Sequence, residues 1–172
     1  MNRDRLLRMA ALANGAHVAI EKTAAEVSAC KDTLCHVLGA LLALRQMHQS
    51  IHWTLSGPNY YGDHQLFGRL YEAQDGDIDT LGEKIVAFCG PDPVDAAYLS
   101  QLQGDYIKKW SSGEPVKAAL GAEQDLQAII KDVYEVLDEK GELTLGLDDF
   151  LMAVADKHET HIYLLQQRLG GK

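Results

Sequence analysis

The sequence predicts an all-α protein: an antiparallel four-helix bundle with a short helix in the connection between helices two and three. Apolar residues recur three and four positions apart over four long stretches, which is typical of amphipathic helices. Breaks containing Gly or Pro separate these stretches, at 56–58, 90–93, 113–115 and 141–146. At 172 residues, the chain is long enough to bury a core as one domain, 1–172.

Residues 1–22 are predicted to be an N-terminal extension with a short amphipathic helix at 2–13. Arg3, Arg5 and Arg8 give that helix a small basic face. Basic side chains bind DNA by neutralising its phosphates, but three arginines are few. A short helix lying on the protein surface is therefore the favoured interpretation of this segment.

The first long helix is predicted from about Thr23 to Leu55, and Ser56-Gly57-Pro58 ends it. Its apolar positions follow helical spacing: Val27, Leu34, Val37, Leu38, Leu41, Leu42, Leu44 and Ile51. His48 and His52 lie four residues apart, a spacing at which two imidazoles can share a metal ion. The alternative for His48 is a solvent-facing or hydrogen-bonded side chain. Trp53, beside His52, is expected to be a packing residue, and the alternative is an electron donor close to the metal.

The second helix is predicted over about Gly62 to Cys89, with a buried stripe of Leu66, Leu70, Ile78, Leu81, Ile85 and Phe88. Asp75, Asp79 and Glu83 form a ladder of carboxylates spaced four residues apart. Like charges at that spacing destabilise a helix by ~0.2–0.5 kcal/mol a pair. A bound cation would relieve the repulsion, and the alternative is a solvated acidic face.

The connection 91–113 is expected to contain one short helix at about 95–103. Pro115 suits the first turn of the third helix, which is predicted to end near Lys140. The fourth helix is predicted over about 146–169. Apolar positions of the two last helices are Leu120, Leu126, Ile129, Ile130, Val133, Val136 and Leu137, then Phe150, Leu151, Val154, Ile162, Leu164 and Leu165.

The last helix also carries His158-Glu159-Thr160-His161. Zinc metalloproteases place two histidines four residues apart with a glutamate beside the first. Here the histidines are three apart, so that class is excluded and the segment is assigned a structural role.

His52, His64, Asp79 and Glu83 are residue types that bind metal ions. His64 and Asp79 are fifteen residues apart, which is about 22 Å along a helix at ~1.5 Å per residue. Ligands of one ion lie only ~2.0–2.2 Å from it. A single copy of the helix cannot bring both to one ion, but a second, antiparallel copy can. The spacing therefore predicts a site shared between two-fold-related subunits, twice per dimer.

This region resembles the Dps family, the mini-ferritins named for DNA protection in starved cells. The matching positions are His52-Trp53, Gly57-Pro58, Tyr60, His64, Leu66-Phe67, Leu70-Tyr71, Asp79 and Glu83. The resemblance implies a ferritin-like four-helix subunit and a homo-oligomeric hollow shell of twelve subunits built from two-fold dimers. By the same resemblance His52, His64, Asp79 and Glu83 are the iron ligands and carry the catalysis.

The implied activity is that of a ferroxidase. Fe(II), as one or two ions per site, is oxidised by hydrogen peroxide or dioxygen and stored as ferric mineral, which protects against oxidative damage. One position departs from the family pattern: many members have Asp four residues after the second His, and here that residue is Gly68. The alternative is therefore a structural or DNA-binding shell with weak or no ferroxidase activity.

Other ferritin-like and di-iron bundles use Glu-x-x-His pairs inside one subunit. No Glu-x-x-His occurs in this chain, which argues against an intrasubunit site of that kind. Asp63 and Asp75 are left as outer ligands that would compensate for Gly68.

The formal net charge is −9, which suits the attraction of cations and makes DNA at most a weak partner. No apolar run approaches the ~20 residues of a membrane span, and the N-terminus lacks a secretory signal. Cys30, Cys35 and Cys89 have no zinc-type spacing. These features predict a cytoplasmic protein with reduced thiols and no membrane partner.

Overall fold

The computed structural model describes residues 33–171, and the part so described is helical. The α-helices are α1 (Leu34–Thr54), α2 (Tyr60–Glu72), α3 (Asp75–Cys89), α4 (Ala96–Trp110), α5 (Pro115–Glu139) and α6 (Leu145–Arg168), with a 3₁₀ turn at Asp92–Val94. The predicted extension 1–22 and the predicted start of the first helix lie outside the described residues.

Helix α1 is the centre of the bundle, because it packs against α2, α3, α4 and α5, while α5 packs against α6. Its buried face supplies Val37, Leu41 and Leu44, which are fully buried. They meet Leu81 and Ile85 of α3, and the opposite side of the core comes from α5 and α6 through Leu126, Ile130, Leu151 and Val154. The prediction of an all-α four-helix bundle with a helix in the connection between helices two and three is confirmed.

The second predicted helix is wrong in one respect: it is broken at Ala73 and Gln74 into α2 and α3. The reason is tertiary. The Gln74 side chain is fully buried, and its amide nitrogen lies 3.1 Å from both the Leu70 carbonyl and Nδ1 of His48. Lys157 of α6 donates to the Ala73 carbonyl at 3.2 Å. Side chains from two other helices therefore hold the junction in place.

The connection between α3 and α5 holds a longer helix than expected, since α4 continues to Trp110. Asp95 caps its start by accepting a hydrogen bond from the Tyr98 amide. At its end the Trp110 indole donates to Asp125 of α5 at 2.9 Å, and Tyr106 stacks on Trp110 with ring centroids 4.9 Å apart. These aromatics are therefore packing residues.

Two cysteines lie within the described part of the chain. Cys35 is buried and donates to the Pro93 carbonyl. Cys89 is disulfide-bonded, so the expectation of reduced thiols is wrong for this residue. No helix within residues 33–171 combines the length and the apolar character that crossing a membrane requires.

Candidate metal centre

The His52 and His64 side chains come from two helices that meet at a tight turn. His52 lies in the last turn of α1 and His64 in the second turn of α2. Between them Gly57 adopts a φ of +99°, a left-handed conformation that glycine enters without a steric cost, and its carbonyl accepts from the Tyr60 amide. This turn reverses the chain, so that residues twelve positions apart become neighbours.

The two imidazoles stack with ring centroids 3.7 Å apart. Nδ1 of His52 lies 2.8 Å from the His64 carbonyl, and Nδ1 of His64 lies 3.1 Å from the His52 carbonyl. A carbonyl only accepts hydrogen bonds, so each Nδ1 must carry the proton. In the neutral rings the lone pair is then on Nε2, the form in which a histidine binds a metal ion. The structure thus brings this predicted pair together and fixes its tautomers.

Aromatic rings surround the histidine pair. Tyr60 stacks on His64 at 5.3 Å, and Tyr71 meets His52 edge-on at 5.4 Å. Trp53 is 69% exposed, so its predicted packing role is not met within one subunit. A large exposed aromatic beside a half-buried imidazole pair marks this surface as one suited to contact with another chain.

Gly68 lies one turn after His64, directly against His52. A Cβ built at Gly68 would lie 3.5 Å from both Cε1 and Nδ1 of His52, an ordinary van der Waals contact. The backbone there is α-helical, so a Cβ can be added without strain. No clash of a Cβ within the subunit therefore explains why the residue is glycine.

Asp79 and Glu83 are exposed on α3, one turn apart. They lie at the edge of an apolar groove whose lining includes Leu38, Leu42, Ile78, Gly82, Val86 and Leu99. Within residues 33–171 neither carboxylate has a hydrogen-bond or salt-bridge partner. Neighbouring acids differ in this respect, since Asp63, Asp75 and Asp77 pair with Arg168, Arg45 and Lys157.

Those pairings bear on the outer ligands considered from the sequence. Asp63 is nearly buried and receives two hydrogen bonds from the Arg168 guanidinium, the second of them 2.8 Å long. Asp75 accepts from Nε of Arg45. Both carboxylates are thus committed to arginines of their own chain, and neither is free to replace the side chain missing at Gly68.

The histidine pair and the acidic pair do not meet in one chain. Among the described residues, His52, His64, Asp79 and Glu83 form no common cluster of ligand atoms. The groove beside the imidazoles is lined by residues that include Gln65, Gly68, Arg69 and Glu72, and its lining ends at Ala73, before α3 begins. Each chain therefore carries two half-sites.

His48 does not join His52. It is fully buried and faces the interior, with Nε2 3.6 Å from Oε1 of Glu123. His158 and His161 face the same carboxylate, with Nδ1 atoms 2.5 Å from Oε2 and 3.1 Å from Oε1. Sequence reasoning gave the His158–His161 segment a structural role and missed Glu123.

A signal for this second cluster was present in the sequence. Glu123 occurs four residues after Ala119 and three before Leu126, on the buried stripe of α5. His158 and His161 similarly share the buried stripe of α6 with Val154 and Leu165. A charge and imidazoles on apolar faces of facing helices have to pair with one another.

Burial and pairing shift the protonation of this cluster in defined directions. Burial lowers the pKa of His48 to about 4, although the Glu123 charge acts in the opposite direction. Burial by itself would raise the pKa of Glu123, but the charge of His158 and the hydrogen bonds from His158 and His161 outweigh it and lower that pKa to about 2. Glu123 is thus an ionised carboxylate in the interior of the bundle.

Comparisons with a family model, with curated proteins and with solved structures all point to the same family. The family model for the ferritin-like domain matches residues 31–171. A DNA protection during starvation protein from Brevibacillus brevis is 30% identical over 121 residues, covering 68% of this chain and 78% of that protein. The crystal structure of a Dps protein from Bacillus brevis superposes with a TM-score of 0.72 at 25% identity, covering 86% of this chain and 99% of that one. DpsC from Streptomyces coelicolor has the same fold, with a TM-score of 0.73 at 19% identity over 89% and 90% of the two chains.

Proposed function

Because the chain belongs to the Dps family of ferritin-like proteins, we propose that it is a ferroxidase that binds Fe(II) between subunits and stores it as ferric mineral. Iron storage and protection are the general properties of this family. What we propose for this chain in addition is a site shared between subunits, with four ligands and with hydrogen peroxide or dioxygen as the oxidant. The observation that supports it best is the pair of complementary half-sites. Within residues 33–171, one surface carries two imidazoles whose Nδ1 atoms are hydrogen-bonded, which leaves Nε2 for a metal, and another carries two carboxylates without a partner.

In the proposed site, His52 and His64 of one subunit bind ferrous iron together with Asp79 and Glu83 of its two-fold partner. The neutral Nε2 atoms bind Fe(II), and the carboxylates stabilise the additional positive charge of the ferric product. Glu83 is the residue we expect to bridge two ions. A two-fold axis generates two such sites per dimer, and twelve subunits would close the shell.

The electron balance of the reaction is simple. Two ferrous ions each give one electron to hydrogen peroxide, the O–O bond breaks, and the two oxygens leave as water after taking up two protons. Dioxygen is the alternative electron acceptor. The ferric ions then hydrolyse to an oxyhydroxide mineral and release protons. The formal net charge of −9 favours the attraction of ferrous ions and disfavours binding to DNA phosphates.

The second candidate is a shell with weak or no ferroxidase activity, for which Gly68 is the specific observation. Without a carboxylate next to His52, one iron position loses a ligand. The two candidates differ in a measurable rate, since both would assemble but only the first would form ferric iron rapidly after anaerobic Fe(II) loading and addition of peroxide.

The shared site is tested by complementation between two inactive variants. One carries His52→Ala and His64→Ala, and the other Asp79→Asn and Glu83→Gln. Each alone is expected to lose ferric absorbance after peroxide. Co-assembled from an equal mixture, about a quarter of the sites combine intact histidines with intact acids, because each half is intact in half of the chains. Recovery of about a quarter of the wild-type rate is the expected result, and no recovery in confirmed mixed assemblies would exclude a shared site.

A further inference from the structure

The bundle interior holds a second group of metal-ligand side chains, separate from the half-sites above. Glu123 of α5 lies between His158 and His161 of α6, and suitable ligand atoms of the three residues all fall within 4.8 Å of one another. All three are buried. Ligands of one transition-metal ion at ~2.0–2.2 Å are roughly 3–3.5 Å apart in tetrahedral geometry, so small side-chain movements would bring these atoms around one ion.

The hydrogen bonding of the group is incomplete. Among the described residues, Nε2 of His158 and Nε2 of His48 are buried and have no hydrogen-bond partner. Buried polar atoms are almost always paired, and each one left unpaired costs free energy. The Glu123 carboxylate, by contrast, receives both imidazole N–H groups. The arrangement satisfies the carboxylate and leaves buried ring nitrogens unpaired.

His48 approaches this group from α1. The Gln74 amide donates to both the Leu70 carbonyl and Nδ1 of His48, so the His48 proton is on Nε2. That N–H faces Oε1 of Glu123 at 3.6 Å, slightly beyond hydrogen-bond length. At that distance His48 makes no hydrogen bond to Glu123, so it borders the group without holding the carboxylate.

We propose that Glu123, His158 and His161 form an intrasubunit site for one divalent transition-metal ion, of the kind that imidazole and carboxylate ligands bind together. Zinc and ferrous iron are the two candidates, since two histidines and one carboxylate serve both. Coordination through Nδ1 displaces the proton that each imidazole donates to Glu123; a neutral ring carries that proton on Nε2 instead, and a charged ring releases it. The site connects α5 to α6 and leaves His52, His64, Asp79 and Glu83 uninvolved.

The site is tested in the full-length protein that carries His52→Ala, His64→Ala, Asp79→Asn and Glu83→Gln, which removes the proposed intersubunit ligands. The metal-free protein is titrated anaerobically with Co²⁺, whose visible ligand-field bands report on coordination geometry, and bound metal is counted after dialysis. We expect one Co²⁺ per subunit, displaced by Zn²⁺. Competition between Zn²⁺ and Fe²⁺ then identifies the preferred ion.

Glu123→Gln in the same background keeps the shape of the side chain and removes its charge. We expect it to lower cobalt affinity by more than about a hundredfold, beyond the loss caused by removing an outer-shell partner. Glu159→Gln is the matched control, because Glu159 lies next to His158 but is exposed, and it should leave the affinity unchanged. His161→Gln is the second variant, for use if Glu123→Gln fails to fold.

Absence of bound cobalt in the background protein, or full binding by both folded ligand variants, would overturn the proposal. Thermal unfolding gives an independent measure, because an ion that binds only the native state raises the midpoint. Zn²⁺ should raise it in the background protein and not in the ligand variants. A negative result here leaves the complementation experiment unaffected, since the variants used there retain Glu123, His158 and His161.

Discussion

The imidazoles of His52 and His64 fix each other's orientation and tautomer. Each ring donates through Nδ1 to the backbone of the other, at 2.8 and 3.1 Å, so neither can turn or change tautomer independently. The Nε2 atoms are therefore oriented before any ion arrives. A pre-oriented ligand pair loses little rotamer freedom on binding, which favours affinity.

Gly68 allows a direct test of the missing carboxylate. Gly68→Asp is expected to raise the rate of ferric iron formation after peroxide addition, because a carboxylate would then lie next to His52 in a position with room for it. Gly68→Ala is the matched control. It should increase the free energy of unfolding by about 1 kcal/mol, since alanine favours a helix over glycine, without accelerating oxidation. Equal rates for the two variants would show that this position does not limit the chemistry.

At the scale of helices, the sequence near each helix end predicts where that helix stops, but it does not predict the break between α2 and α3. Gly57, Pro115 and Gly141 lie at helix boundaries that the sequence predicted within a few residues. The break after Glu72 has no Gly or Pro in it. It depends on the Gln74 amide bonding to His48, twenty-six positions away, and such a partner cannot be identified from helical periodicity alone.

The Asp63–Arg168 pair holds the start of α2 against the end of α6, and with it the turn that carries His64. Asp63 is 5% exposed and accepts two hydrogen bonds from the guanidinium. Asp63→Asn is expected to lower the free energy of unfolding by about 2 kcal/mol, as for charge-assisted hydrogen bonds in general. Urea denaturation measures the change.

Asp105→Asn serves as the control for that variant, because Asp105 pairs with Lys108 on the exposed face of α4. An exposed pair of this kind contributes about 0.3–0.5 kcal/mol. If both variants lose equally little stability, the buried pair is not a tether between α2 and α6.

At the scale of the whole molecule, the separation of the candidate histidines from the candidate acids could be predicted from the sequence, and the four residues stay a prediction as ligands. Helical reach separated the histidines from the acids, and the structure keeps them apart within one chain. The Glu123 cluster was missed because its members are thirty-five and thirty-eight residues apart. Contacts that depend on two helices facing each other appear only when the bundle is built.

The apolar groove beside Asp79 and Glu83 is the surface on which the proposed dimer depends. Val86 lines it and is 42% exposed, so Val86→Lys should leave the subunit folded while placing a long charged side chain in the apolar interface. We expect dissociation into smaller species by size-exclusion chromatography with light scattering. Thr80→Lys, on the same helix but outside the groove lining, should assemble normally; assembly of both variants would locate the interface elsewhere.

The buried Glu123 cluster has one more consequence, for the alignment of α5 with α6. Sliding α6 by one turn, ~5.4 Å, would bring Ile162 and Leu165 to the places now held by His158 and His161. An ionised carboxylate would then face aliphatic carbon with nothing to neutralise it, a penalty of several kcal/mol. Apolar faces alone would tolerate a one-turn shift between two helices, because one leucine can take the place of another. The buried Glu123 carboxylate therefore favours a single register of α6 against α5, and that register determines the other contacts between the two helices.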